Sequence, residues 1–280
     1  MLSYRHSYHA GNYADVLKHS VLIHILEYLK NKDKPFCYVD THAGAGMYSL
    51  RSEQAVKTNE YQQGIGALWQ QDDLPRAIAE YRELIKSFNG ADQLAFYPGS
   101  PLIAMELMRK QDRLFLYELH NTEIKILEAA IKKDKRVTVL HKDGFQGCLR
   151  LMPPQQRRGL VLIDPSYEIK TDYQQVTEAI IQLHKRFATG TYALWYPVVE
   201  RQRINELEEK ITGSQLRNVQ LFELAQAADS DQYGMNASGM IVVNPPWTLK
   251  AEMEQVLPYL AKHLGIEGQG SYRIKQLKAE

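Results

Sequence analysis

At 280 residues the chain is long enough for one large α/β domain, or for such a domain with a small insert. Its 44% apolar and 24% charged residues are ordinary for a globular protein, and a net charge of +1 means that any basic nucleic-acid footprint must be local. The two cysteines, Cys37 and Cys148, lack CxxC spacing, which excludes a disulfide framework or a zinc knuckle and favours a reducing compartment.

The polar, histidine-rich start has no apolar core of signal-peptide type, and no run approaches the ~20 apolar residues of a membrane span. A soluble, cytoplasmic protein is expected. Asn12 caps the first helix, with Asp15 three residues on as a variant capping box. Val16, Leu17, Val21, Ile25, Leu26 and Leu29 recur at roughly helical spacing, and the polar run 30–35 ends the helix. Residues 36–39 are a predicted strand leading into Asp40-Thr41-His42-Ala43-Gly44-Ala45-Gly46. From 47 to 98 the composition shifts to Gln, Tyr and charge, with one punctuated helix from 75 to about 88. This stretch reads as an inserted helical subdomain, 47–98, between the two parts of the main domain, 1–46 and 99–280. Ser100 then caps a helix with Pro101 as its first residue. Short apolar runs follow at 113–118, 137–143, 160–164, 192–198, 221–227 and 240–244, most of them separated by helical patterns. Strands alternating with helices imply a largely parallel sheet covered on both faces. Residues 226–239 carry no helical pattern, so the last two strands pair as an antiparallel hairpin. The expected fold is α/β, a Rossmann-like methyltransferase sheet of seven strands, six parallel and one antiparallel.

In such a sheet ligands bind beyond the carboxyl ends of the strands, at the switch point of strand order. After the first strand, Gly44 and Gly46 let the backbone turn tightly beside a ligand. The GxGxxG of a dinucleotide site is absent, which disfavours a nicotinamide enzyme. Glu118, closing the second strand, can accept both ribose hydroxyls of an adenosine moiety. Asp143 after the third can accept from an adenine amine, and Gly144 keeps the wall thin. Taken singly, each of these also fits an ordinary turn or a solvated strand end.

The fourth strand ends in Asp164-Pro165-Ser166-Tyr167, the sharpest signal in the chain. An aromatic amine is a poor nucleophile because its lone pair is delocalised into the ring. A carboxylate and a neighbouring carbonyl can each accept one amine hydrogen, holding the nitrogen toward tetrahedral geometry with its lone pair aimed at a methyl group. Pro165 has no N–H and offers only its carbonyl. Tyr167 can stack on an unstacked base. Alignment and charge placement then supply most of the acceleration. Asp164, Pro165 and Tyr167 form the expected catalytic set. Asn244-Pro245-Pro246-Trp247 matches a (D/N)PP(Y/F/W) motif better by letters, but it follows the seventh strand, far from the glycine loop, and reads as a rigid turn. His6, His9, His19 and His24 have no acidic or thiol partner at ligand spacing, so no metal site is expected. On spacing alone, Lys18 and His19 also fit an exposed helix face with Asp15 paired to His19. The basic clusters 132–136, 157–158, 184–186 and 201–203 read one by one as solvated surface.

The run HSYHAGNYADVLKH, with DTHAGAG, PGSP, DPSYE and NPPW, resembles the bacterial 23S ribosomal RNA adenine-N6 methyltransferase family called RlmJ, some of whose members were labelled proteins of external-DNA catabolism. The resemblance covers essentially the whole chain, and the motifs are specific as a set. It implies S-adenosylmethionine as donor, S-adenosylhomocysteine as product, and 23S ribosomal RNA, protein-free or in an early assembly intermediate, as partner. Carried over by motif, Lys18 and His19 line the cofactor pocket, His42 and Gly44 sit in the glycine loop, and Ser100 contacts the donor. Glu118 holds the ribose, Asp143 with Gly144 the adenine. Asp164 contacts the target amine and accepts its proton, and Tyr4 touches the RNA. The family's usual DPPY is DPSY here, with Ser166 in place of the second proline. Two alternatives stay open: DNA adenine-N6 methylation, for which no sizeable target-recognition domain is evident, and a non-catalytic nucleic-acid-binding or external-DNA-utilisation protein with a vestigial cofactor fold.

Overall fold

The computed structural model of the chain describes residues 5–90, 93–168, 172–228 and 234–280. Its first helix, α1 (Tyr13–Lys30), starts at the expected cap: the Asn12 side chain accepts from the N–H groups of Ala14 and Asp15. The Asp15 carboxylate does not return to the cap residue and instead takes the N–H of Gly11, at 2.8 Å. Buried residues surround α1 on nearly every side, so it is a core helix and not an amphipathic one.

In chain order there follow β1 (Cys37–Asp40), β2 (Met47–Ser49), α2 (Glu53–Thr58), α3 (Ile65–Leu68), α4 (Arg76–Ser87), β3 (Phe96–Pro98) and α5 (Ser100–Leu107). Then come β4 (Arg113–Tyr117), α6 (Glu123–Ile131), β5 (Val137–Leu140), α7 (Gly144–Leu151), β6 (Gly159–Ile163), α8 (Asp172–Arg186) and β7 (Thr191–Val198). The chain closes with α9 (Arg201–Gly213), β8 (Val219–Ala225), β9 (Ala237–Val243), α10 (Leu249–Leu264) and β10 (Ser271–Lys278). α5 begins one position earlier than expected, with Gly99 as its cap. Ser100 thus lies inside the first turn, and its hydroxyl is used elsewhere, on Asp40.

One sheet holds eight strands in the order β10-β8-β9-β7-β6-β1-β4-β5. β1, β4, β5, β6 and β7 pair in parallel. β9 runs antiparallel between β7 and β8, which gives β8 the direction of the parallel set. This is the six-plus-one pattern, and β10 adds an eighth, antiparallel edge strand beside β8. Its sequence, SYRIKQLK, carries no apolar run, and a register shift at Gln276/Lys278 breaks its alternation, as suits a charged edge. β2 and β3 pair with each other and close residues 47–98 into a loop of helices. Ile65, Tyr81, Ile85 and Tyr97 from that loop pack in the same apolar cluster as Leu17 of α1 and Leu257 of α10. A second cluster, including Ile180 of α8 and Leu207 of α9, covers the other face of the sheet. Strand order reverses at β1, which lies between β4 and β6, so the carboxyl ends of β1 and β6 flank the switch point.

Candidate active site

A cavity of ≈ 280 Å³ opens at that point. Lys18, His19, His42, Gly44, Ser100, Glu118, Asp143, Gly144 and Asp164 all line it. Pro165 joins them, whereas Tyr4 lies outside the described residues.

Local geometry explains most of these residue types. Gly44 has φ +63°, and a Cβ there would meet the Tyr48 hydroxyl at 2.3 Å. The Gly44 N–H donates to Glu118 Oε2 at 2.7 Å and the His120 N–H to Oε1 at 2.6 Å, so the backbone pins this carboxylate beside the glycine loop. Asp143 caps α7 by accepting from the Gln146 N–H at 2.9 Å. Gly144 is required by packing, since a Cβ would lie 1.9 Å from the Thr41 carbonyl oxygen. The half-buried His42 ring packs edge-on to Phe145, centroids 5.0 Å apart, and desolvation pulls its pKa down to about 4.

Asp40, which ends β1, was not singled out from sequence. It is fully buried and accepts from the hydroxyls of Ser100 (2.6 Å) and Tyr38 (2.8 Å) and from the His42 N–H (3.2 Å). Burial raises its pKa to about 6 against the pull of those donors. Asp40 therefore ties β1, the glycine loop and α5 together behind the cavity.

A second cavity, ≈ 580 Å³, lies alongside and is lined by Tyr13, Tyr167, Tyr173, Trp195 and Arg203 among others. Lys18, Asp164, His6 and Ser166 line both cavities, so Asp164 stands in their common wall. The Lys18 ammonium is 2.6 Å from Asp164 Oδ2 and 2.8 Å from Asp15 Oδ1. Asp15 Oδ2 is in turn 2.9 Å from His6 Nε2. Burial works against charge at both Asp15 and Lys18, but their partners prevail. His6 and Lys18 hold the Asp15 carboxyl well below the usual range, and Asp15 with Asp164 raises the Lys18 pKa. Lys18 and His19 are 4% and 0% exposed, which rules out the exposed-face reading, and Asp15 pairs with Lys18 instead of His19. Asp164 Oδ1 makes no hydrogen bond among the described residues. Tyr167 adopts φ +52°, donates its hydroxyl to the Trp195 carbonyl at 2.7 Å, and sets its ring 4.6 Å from Tyr173 and 5.9 Å from Trp195. His6 and Asp15 are further residues missed as site members. Their sequence signals were a place at the start of α1 and in the run HSYHAGNYADVLKH, and neither marks them as site residues.

Asn244 lies at the opposite end of the sheet, because β9 runs against the parallel set and Val243 faces Tyr192 near the start of β7. Its side chain donates to the carbonyls of Ala188 (2.7 Å) and Gly190 (2.8 Å), and Trp247 is 81% exposed. Among the described residues no group of three or more His, Cys, Asp or Glu could hold a metal ion. No described helix is long and apolar enough to cross a membrane.

A family model described as ribosomal RNA large subunit methyltransferase D, RlmJ, matches residues 33–277. Two proteins called ribosomal RNA large subunit methyltransferase J, from Haemophilus influenzae and Escherichia coli, are 54% and 53% identical, with 100% of this chain and 100% of each relative covered. A crystal structure from Legionella pneumophila is 39% identical with a TM-score of 0.89, covering 96% of this chain and 98% of that one.

Proposed function

The chain belongs to the RlmJ family of ribosomal RNA large subunit methyltransferases, and on that premise we propose that it methylates the N6 amine of an adenine in 23S ribosomal RNA with S-adenosylmethionine as donor. The observation that carries this reading is the common wall. One carboxylate, Asp164, lines both a cavity suited to the donor and a second cavity with aromatic sides.

The residues of the smaller cavity fit the donor. Glu118, held by two backbone N–H groups, has the acceptors a ribose needs. Asp143 and Gly144 edge the place for adenine. His19 Nε2, buried without a hydrogen-bond partner among the described residues, is a polar atom that a ligand would satisfy. When bound, S-adenosylmethionine supplies an electrophilic methyl group on a positively charged sulfur.

The larger cavity takes the target base, unstacked from its neighbours. Tyr167, Tyr173 and Trp195 offer faces for stacking, worth about 1–3 kcal/mol per base. Lys18 fixes Oδ2 of Asp164 and leaves Oδ1 for one amine hydrogen, while the Pro165 carbonyl takes the other. The nitrogen lone pair then points at the methyl group, and Asp164 receives the proton that the methylated amine releases. Lys18 is no general base, because its pKa is raised. An unstacked base must be reachable, which favours protein-free RNA or an early assembly intermediate in the cytoplasm as substrate. The test is transfer of labelled methyl from the donor to protein-free 23S ribosomal RNA, with a DNA strand of matching sequence alongside. Labelling of the RNA at adenine N6 supports the reading. Labelling of the DNA alone, or of neither, rejects it.

A further inference from the structure

The reaction proposed above gives no task to Ser166, although it stands in the wall shared by the two cavities, two residues after Asp164. Pro165 lines only the smaller cavity and Tyr167 only the larger, so Ser166 marks the passage between them. It is half-buried, and its hydroxyl makes no hydrogen bond among the described residues. A serine hydroxyl carries one hydrogen to donate, and it needs an acceptor once a ligand has displaced the water around it. A second proline at this position, as in DPPY, would offer no donor at all.

Two ligands would meet at this wall, and their chemistry separates them. The part of the methyl donor that faces Asp164 is a methyl group on a positively charged sulfur, which has no acceptor for an O–H. The donor's amino-acid carboxylate is the one acceptor close to that sulfur. Asp15 and Asp164 share the single Lys18 ammonium, so this wall does not attract a further anion. The target base differs. Adenine has two ring acceptors, N1 and N7, one on each side of the N6 amine. With Asp164 Oδ1 on one amine hydrogen and the Pro165 carbonyl on the other, both of these ring nitrogens are still bare. Ser166 is the next residue along the chain from that carbonyl.

We propose that the Ser166 hydroxyl donates to a ring nitrogen of the target adenine, N1 or N7, and so makes Ser166 a specificity-determining residue that reads the ring beside the amine. This rests on the reading of the two cavities given above. The third contact fixes the ring about the line through its amine, so that both amine hydrogens meet their acceptors together. A base with C–H at that ring position leaves the hydroxyl stranded and is rejected on that ground.

The test changes the base and the serine together. The adenine that the wild type methylates is mapped first. Full-length 23S ribosomal RNA is then ligated with adenine, 1-deazaadenine or 7-deazaadenine at that position. Each analogue keeps the amine and has C–H in place of one ring nitrogen. Methyl transfer is measured as kcat/KM for the wild type, Ser166→Ala and Ser166→Pro. The analogues also alter the amine's own reactivity, and that part cancels in the ratio between enzymes. One analogue should cost the wild type about three- to ten-fold more than it costs either variant. S-adenosylhomocysteine affinity, read by calorimetry, should be the same in the wild type and Ser166→Ala. If one variant does not fold, the other carries the comparison, since both lack the hydroxyl. Equal costs for both analogues in the wild type and a folded variant overturn the contact. Weakened S-adenosylhomocysteine binding in Ser166→Ala puts the hydroxyl on the donor and overturns its assignment to the base. A wild type that leaves the unmodified RNA unlabelled overturns the adenine reading itself, and this inference with it.

Discussion

Lys18 Nζ and Asp164 Oδ2 meet at 2.6 Å, joining the first helix of the chain to the carboxyl end of β6. The ion pair is nearly dry on the lysine side, 5% exposed, and Lys18 also carries the charge that balances Asp15. Removing that one cation leaves two carboxylates facing each other in a poorly solvated space. Lys18→Met is therefore expected to destabilise the fold by about 3–5 kcal/mol, the range for breaking a buried pair on one side. Urea unfolding checks this. A loss below about 1 kcal/mol would mean that solvent screens the pair far better than its burial implies.

His19 gives the fold a pH dependence of definite sign. Its pKa falls from 6.5 to about 3 on folding, so the unfolded chain binds a proton there that the folded chain refuses. Stability from this group is fully present above pH 6.5 and is lost as pH falls toward 3, about 2 kcal/mol of it by pH 5. Asp40 acts in the opposite sense, because its pKa rises from 3.8 to about 6 and the folded state gains the proton first. The two are separated by difference. The stability gap between wild type and His19→Gln should shrink by about 2 kcal/mol between pH 7 and pH 5. A constant gap would show that the ring is not desolvated.

Gly144→Ala should damage the proposed donor site through the backbone. The added methyl would lie 1.9 Å from the Thr41 carbonyl oxygen, and Thr41 adjoins the glycine loop. A loss of about 1–3 kcal/mol in stability is expected, with weaker S-adenosylhomocysteine binding. Thermal melts and calorimetry read both. Wild-type values in both would mean that the loop yields without cost.

Asn244→Ala should separate structure from chemistry. The side chain ties down two carbonyls, of Ala188 and Gly190, and the residue sits at φ +50°. A loss of about 1–2 kcal/mol in stability is expected, with the methylation rate per folded molecule within about two-fold of wild type. A rate loss of a hundred-fold would instead make the NPPW turn part of the reaction centre.

Legibility from sequence varied with how local each signal was. β6 is a continuous apolar run that stops at Asp164, so both strand and carboxylate were readable. The parallel order followed from alternation, and the antiparallel β9 from the missing helix before it. β10 was not readable because an edge strand needs few apolar residues, and Arg273, Lys275 and Lys278 hide it. Asp40 and Asp15 escaped for a different reason. Their importance comes from Ser100, Tyr38, His6 and Lys18 converging on them in space, and a carboxylate at a strand end or in a first helical turn is ordinary. The exposed-face reading of Lys18 failed because α1 is enclosed on nearly every side, something its polar letters conceal.

Asp164 carries the proposed chemistry most directly. Asp164→Asn keeps the shape of the side chain and removes the charge that, in the proposed reaction, receives the amine proton. Single-turnover methyl transfer to protein-free 23S ribosomal RNA, measured with S-adenosylhomocysteine affinity in the same preparation, is the deciding measurement. The expected result is a rate lowered by about 10²–10⁴-fold with affinity changed by less than about ten-fold. A variant that methylates at the wild-type rate would contradict the placement of the chemistry at the wall between the two cavities.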